Sequence, residues 1–239
     1  MPDISSPKTF VLVHGAWHGG WCWRRVADVL ERQGHKVFTP TLTGLGERSH
    51  LMSRDIDLDT HIADVVNVFT WEGLKDVVLV GHSYAGWVIS GAVERVLPRV
   101  AGIVFLDAFL PDNGSRGLDN TSEFSRKGIL AAIENGSVSR PPPAAALFAV
   151  NENDRHWVDS RLTPQPLGVA LQPIRLTGAR DRVARKTYIR ATGWPEAIFD
   201  GYLARCRADP TWRACEIACG HDVMVDMPER LAEMLLEAG

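Results

Sequence analysis

Three short stretches of this 239-residue chain carry residue types that could do covalent chemistry. The first is Gly81-His82-Ser83-Tyr84-Ala85-Gly86. A serine where a buried strand turns sharply into a helix is the setting of a nucleophile elbow. Strand and helix nearly touch there, so the residues around the serine must be small. Ala85 stands where a second glycine is usual. The second stretch is Cys219-Gly220-His221-Asp222, after the last apolar run. A histidine in that loop can take the hydroxyl proton of Ser83. The third is His14-Gly15-Ala16-Trp17, after the first apolar run. Such a loop lends one backbone N–H to a developing oxyanion and the residue after the serine lends another, which assigns the donors to Ala16 and Tyr84. The chemistry implied is acyl transfer, with Ser83 as nucleophile and His221 as general base. Among the other histidines, His14 reads as stabilising its loop, His35 and His61 as structural, and His18 and His82 as near the site but misplaced for a base.

The third member of such a triad is a carboxylate. Sites on open α/β sheets gather at the C-terminal ends of strands. Asp107 meets that condition, because it ends the apolar run Val100 to Leu106. A carboxylate there needs a partner, and the Nδ1–H of His221 would be one. Capping the turn at Asp112-Asn113-Gly114 is the other use open to Asp107. Glu196 and Asp181 remain alternatives for the acid. Asp181 precedes its strand, which places it toward the opposite edge of the sheet.

The elements that must position these residues can be read from apolar patterning. Thr9–Val13, His35–Thr39, Asp76–Val80, Val100–Leu106, Thr187–Thr192 and Ala214–Ile217 predict strands. Asp76–Val80 has the continuous apolar run of a parallel strand buried on both faces. Helical spacing predicts Trp21–Gln33, stopped by Gly34. It predicts a second helix with Ile62, Val65, Val66 and Phe69 on one face and Asp59 or Thr60 as N-cap. Two more run from the serine turn to about Val96 and from Pro228 to Glu237. Leu42 to Met52 reads as loop. The alternation predicts an α/β fold, a mostly parallel central sheet with helices on both faces.

That rhythm breaks after the strand ending near Leu106. The chain is expected to be a single domain, 1–239, with its core at about 1–109 and 186–239. A helical cap is expected at about 110–185. Pro141-Pro142-Pro143 within it reads as a loop entering a helix. The cap brings Phe124, Leu147, Phe148 and Trp157. With Trp17, Trp87, Phe109 and Trp194 these would wall a pocket suited to an aromatic or apolar group, although part of the set would serve simply to pack the cap.

Phe10 to Trp23 (Phe-Val-Leu-Val-His-Gly-Ala-Trp-His-Gly-Gly-Trp-Cys-Trp), Gly34-His-Lys-Val37, Gly81-His-Ser83 and Gly220-His221 together resemble the plant methylesterase and hydroxynitrile-lyase branch of the α/β hydrolases. Bacterial relatives of that branch, the alkyl-salicylate and carbendazim-hydrolysing esterases, are similar too. The resemblance covers essentially the whole chain. It implies the α/β-hydrolase fold and a serine esterase acting on a small ester, with carbamate or amide hydrolysis by the same triad as the alternative. A lyase or a non-catalytic receptor would be further readings. The lyases carry Thr in place of Gly15 and Lys in place of Asp222, and a carboxylate cannot hold a cyanide leaving group. In the plant enzymes the acid follows the strand after the cap. Here that strand leads into Gly193-Trp194-Pro195, where the nearest carboxylate is Glu196.

Composition bounds the partners. Apolar residues make up 45% of the chain and net charge is −3, so a large core can be buried and phosphate binding has no electrostatic support. No apolar run approaches the ~20 residues of a membrane span. Met1 to Lys8 lacks the basic start and apolar stretch of a leader, so a cytoplasmic location is expected, with the four cysteines as free thiols. Cys215 and Cys219 have no second pair for a metal, and no dinucleotide fingerprint follows the first strand. No cofactor and no metal are expected. The partner expected is a small-molecule ester, with a homodimer as the assembly considered.

Overall fold

The computed structural model describes residues 6–238, without the side chain of Phe124. Met1 to Ser5, part of the stretch read as having no leader, lie outside the described residues.

The chain builds β1 (Thr9–Val13), α1 (Arg24–Arg32), β2 (Lys36–Phe38), α2 (Leu58–Trp71), β3 (Val77–His82), α3 (Ala85–Val96) and β4 (Val100–Leu106) in strict alternation. An inserted segment follows, with α4 (Glu123–Glu134), β5 (Ser139–Arg140), α5 (Glu152–Asp159), β6 (Gln165–Pro166) and α6 (Gly168–Leu171). The alternation then resumes with β7 (Arg185–Ala191), α7 (Ala197–Ala208), β8 (Trp212–Ile217), α8 (Val223–Asp226) and α9 (Pro228–Ala238).

Six strands form the central sheet in the order β2-β1-β3-β4-β7-β8, and all its neighbours pair in parallel. This is the parallel α/β sheet that the alternation predicted. Phe10 to Val13 and Val77 to Leu79, in the middle of the sheet, are 0–1% exposed. Parallel strands need crossover helices, and those helices bury the sheet. Here α1 packs with α9 and α2 with α3.

Two consequences matter for function. A parallel sheet delivers every C-terminal strand end to one edge, so the loops after β1, β3, β4, β7 and β8 share that edge. Strand order also reverses there: β1 leads to β2 on one side, and β3 and β4 lie on the other. Ligands in open α/β sheets bind at such a switch point.

The N-cap of α2 corrects the sequence expectation. It is Asp57, whose carboxylate accepts the Thr60 N–H at 2.9 Å, while Thr60 Oγ1 accepts the Asp57 N–H at 3.3 Å. This is a reciprocal capping box, and Asp59 lies inside the helix. The inserted segment holds helices and also a two-stranded antiparallel ribbon, β5 with β6.

Candidate active site

Ser83 sits between β3 and α3 at φ 54°, a left-handed conformation costly for a residue with a Cβ. Three bonds hold it there. Its N–H donates to the Leu106 carbonyl, and its own carbonyl accepts from Gly86 and Phe109. The turn is tight enough that a Cβ on Gly86 would come within 1.9 Å of the Phe109 carbonyl oxygen. The small residues around the serine are therefore steric requirements.

His221 lies in the loop after β8. Its Nδ1 is 2.6 Å from Asp107 Oδ2. Asp107 follows β4 at φ 41° and is fully buried. Its other oxygen, Oδ1, accepts from Arg190 Nη1 at 2.8 Å and from the Ala191 N–H at 3.1 Å. Both oxygens of this buried carboxylate thus face donors. Burial opposes the charge on Arg190, yet Asp107 and Asp200 outweigh it and raise its pKa. Arg190 was not singled out from the sequence. The sequence carries half of the signal: a guanidinium in a buried strand such as β7 needs a carboxylate, but nothing local says which one. The other acid candidates are elsewhere. The Asp181 side chain is 67% exposed beside Arg180. Glu196 offers its backbone carbonyl to Arg190.

The loop after β1 is fixed from several sides. His14 donates through Nδ1 to the Gly15 carbonyl at 2.8 Å and accepts the Leu42 N–H on Nε2 at 3.0 Å. Burial pushes its pKa down to about 3, so it stays neutral. Trp17 follows at φ 65°. On the other side of the switch point, the buried Tyr84 hydroxyl donates to His61 Nδ1 at 3.0 Å, and His61 Nε2 donates to the Thr43 carbonyl. Burial lowers His61 to about 4. Among the described residues, no protein acceptor takes the backbone N–H of Ala16 or of Tyr84.

A second histidine–aspartate pair lies beside the first. His18 Nε2 is 3.0 Å from Asp222 Oδ2, and its Nδ1 donates to the Ala16 carbonyl at 2.8 Å. With acceptors on both nitrogens, His18 is an imidazolium. Burial works against that charge, but Asp222 outweighs it and raises the His18 pKa. Burial likewise pushes Asp222 up, and His18 overrides it to about 2. His82 donates through Nε2 to the His221 carbonyl at 3.0 Å. Burial, then repulsion from His221, holds its pKa well below the usual histidine range. The ring of His82 is 4.4 Å from that of His221, which brings the serine turn and the histidine loop together.

The aromatic residues divide into two groups. Trp194 covers the His221 ring at 4.1 Å, and Phe148 stands 5.8 Å from it and 5.8 Å from Trp17. Phe199 also faces His221, at 5.9 Å, and was not anticipated. The Phe109 backbone braces the Ser83 turn, while its ring meets Phe199 at 5.0 Å and Trp87 at 6.2 Å. Trp87 is 2% exposed and serves the α3 core. Trp157 is not brought to the site either. It meets Trp21 edge-on at 5.1 Å and lies between Arg25 and Arg161. Among the described residues, no group of three or more His, Cys, Asp or Glu is arranged to hold a metal ion. Also among them, no helix is long and apolar enough to cross a membrane.

Comparison with known proteins agrees with this architecture. The Alpha/beta hydrolase family model matches residues 10–234. A carbendazim hydrolyzing esterase of Nocardioides sp. (strain SG-4G) is 41% identical, over 96% of this chain and 99% of its own length. The putative chloroplastic methylesterase 14 of Arabidopsis thaliana is 28% identical over 80% of this chain, which spans 60% of that longer protein. Among solved structures, an extracellular alpha/beta-hydrolase from a Paenibacillus species superposes with a TM-score of 0.85 at 25% identity, covering 98% of this chain and 99% of that one. It is described as sharing structural and functional homology with tobacco salicylic acid binding protein 2. The chain belongs to the alpha/beta hydrolase family, as an enzyme of that class.

Proposed function

We propose that this enzyme is a serine carboxylic-ester hydrolase that acts on a small aromatic or apolar ester through an acyl-enzyme on Ser83. The observation that carries the reading is the buried Asp107–His221 pair, 2.6 Å apart, in the loops beside the strained Ser83 turn. Asp107 accepts the Nδ1–H of His221, which leaves Nε2 as the nitrogen free to accept a proton. His221 takes the hydroxyl proton as Ser83 Oγ attacks the ester carbonyl. The N–H groups of Ala16 and Tyr84, unused by the protein, receive the tetrahedral oxyanion. Collapse expels the alcohol, which takes the proton from His221. Water then repeats the sequence on the acyl-enzyme and releases the acid. We read residues 110–185 as the cap of a single domain, with Phe148 as its ring nearest His221.

Cleavage of a carbamate is the second reading, favoured by the Nocardioides relative named for carbendazim. The same residues would act, and the carbamoylated serine would clear more slowly. Lyase chemistry is disfavoured at two positions. A side chain at Gly15 would meet His82 Nδ1 at 2.9 Å and Ser83 Cβ at 3.0 Å. Asp222 is an anion where a cyanide leaving group needs a cation.

The test is a panel of aryl and alkyl esters, a methyl salicylate type ester and a methyl carbamate, with and without a serine-directed phosphonate. We expect a phosphonate adduct on Ser83 and loss of turnover. Ser83→Ala should cost on the order of 10⁴ to 10⁶ in kcat with the fold intact by circular dichroism. More than about a tenth of wild-type activity in that variant would overturn the covalent mechanism.

A further inference from the structure

Three hydrogen-bond donors gather around Trp17, and among the described residues none has an acceptor. The ribbon β5–β6 sets Arg140 directly opposite Gln165, so both side chains leave the same face. Both reach Trp17. Gln165 Oε1 accepts the Trp17 N–H at 2.9 Å, and the Arg140 guanidinium lies over the indole, 4.4 Å from its centroid. Gln165 Nε2 and Trp17 Nε1 are buried and have no hydrogen-bond partner. Among the described residues, the Arg140 guanidinium has neither an ion pair nor a hydrogen bond. Burial alone acts on it, with no carboxylate in opposition, and lowers its pKa to about 10. It is therefore still charged at neutral pH.

Such an arrangement costs stability unless something supplies acceptors, because a desolvated charge and orphaned donors are both unfavourable. Stacking on Trp17 satisfies the face of the guanidinium but leaves its in-plane N–H fork unused. That fork matches the two oxygens of a carboxylate. A neutral carbonyl would leave the charge uncompensated.

The location ties these donors to the reacting centre. Trp17 is the neighbour of Ala16, and Phe148 touches both Trp17 and His221 at ring distances of 5.8 Å. Trp17 also holds an unfavourable positive φ of 65°, which the Gln165 bond and the Thr163 N–H on its carbonyl maintain. Cap and oxyanion loop are thus clamped together with their donors unspent.

We propose that Arg140, Gln165 Nε2 and Trp17 Nε1 form a carboxylate subsite, so that the preferred substrates are acid-esters, the monoesters of aromatic dicarboxylic acids. The proposal rests on the ester-hydrolase reading and specifies its substrate class. Arg140 would pair with the free carboxylate while the ester group lies at Ser83.

The experiment compares kcat/KM for the monomethyl esters of the benzenedicarboxylic acids with that for methyl benzoate, in wild type, Arg140→Gln and Arg140→Lys. We expect wild type to favour an acid-ester, mainly through KM. The acid-ester to neutral-ester ratio should fall on the order of tenfold or more in Arg140→Gln, with partial recovery in Arg140→Lys. Because the readout is a ratio within one protein, a fraction of misfolded variant cancels. Wild type turning over methyl benzoate as well as every acid-ester overturns the subsite whatever the variants do, and so does an unchanged ratio in Arg140→Gln. Phosphonate labelling of Ser83 separates the two levels. Labelling with a flat ratio removes only the subsite, whereas failure to label removes the hydrolase reading.

Discussion

Two histidine–aspartate pairs are bridged by the ring of His82, and their carboxylates are compensated differently. In both, the carboxylate is completely buried and the imidazole is at most 2% exposed. Asp107 also receives Arg190 and the Ala191 N–H. Arg190 carries the charge that balances this carboxylate. Among the described residues, no arginine pairs with Asp222. Its Oδ2 meets His18, and its Oδ1 has no hydrogen-bond partner, with His82 Nε2 4.0 Å away. The compensating charge must therefore reside on an imidazole, and His18 bears it. The chemistry of a histidine here is decided by what else touches its aspartate.

The largest effect should come from asking each pair to work. Asp107→Asn should lower kcat on the order of 10⁴, as the loss of a triad acid does elsewhere, with KM little changed. Steady-state kinetics on the best ester of the panel measures it. Activity near wild type in Asp107→Asn, with collapse in Glu196→Gln or Asp181→Asn, would transfer the acid role to one of those residues.

The next effect tests the arginine. Arg190→Met removes the cation but keeps much of the volume, leaving Asp107 buried with His221 as its only ionisable partner. Breaking one side of a buried pair costs about 3–5 kcal/mol. Urea denaturation at neutral pH should show a loss of that order, and kcat should fall less than in Asp107→Asn. A loss below about 0.5 kcal/mol, the range of ordinary surface substitutions, would mean that Arg190 does not carry the compensation.

The two pairs also differ in how far sequence could reveal them. The central strands β1, β3 and β4 were legible because burial on both faces enforces an uninterrupted apolar run. The serine turn was legible because few backbones tolerate its geometry. The pairing partner of Asp107 in β7 was not, although Arg190 interrupts that strand visibly, because parallel register is a long-range property that no local pattern encodes. The ribbon of β5 and β6 escaped for a different reason. Each strand has two residues, too few to show a period, and β6 contains Pro166. The helix α7, Ala197–Ala208, also went unread, since Gly201, Asp200 and Arg205 break up its apolar face. The cap of α2 was missed by two residues because Asp57, Asp59 and Thr60 all suit an N-cap by type. Only the backbone shows that Asp57 is extended, at φ −123°.

The smallest effect is the one that isolates the second pair, and its signature is a pH window. His18 has its pKa raised above 6.5. A raised value means that the stabilisation from protonated His18 is complete below 6.5 and is lost as pH rises through the folded value. Asp222 is lowered from 3.8 to about 2. A lowered value means stabilisation present above 3.8 and lost as pH falls toward about 2. The two ranges overlap between 3.8 and 6.5, and only there are both charges in place to their full extent. Asp222→Asn removes the anion while keeping an oxygen for the His18 N–H. With its counter-charge gone, burial acts unopposed on His18 and favours the neutral ring. The stability lost, about 1–3 kcal/mol for a buried charge-assisted bond, should therefore be greatest between pH 3.8 and 6.5 and shrink as pH rises through the folded value of His18. Urea midpoints of wild type and variant across that range measure it, and the His18 ring resonances should titrate at lower pH in the variant. A difference that stays constant with pH, or grows toward alkaline pH, would show that His18 and Asp222 share a neutral hydrogen bond and that His18 does not bear the compensating charge.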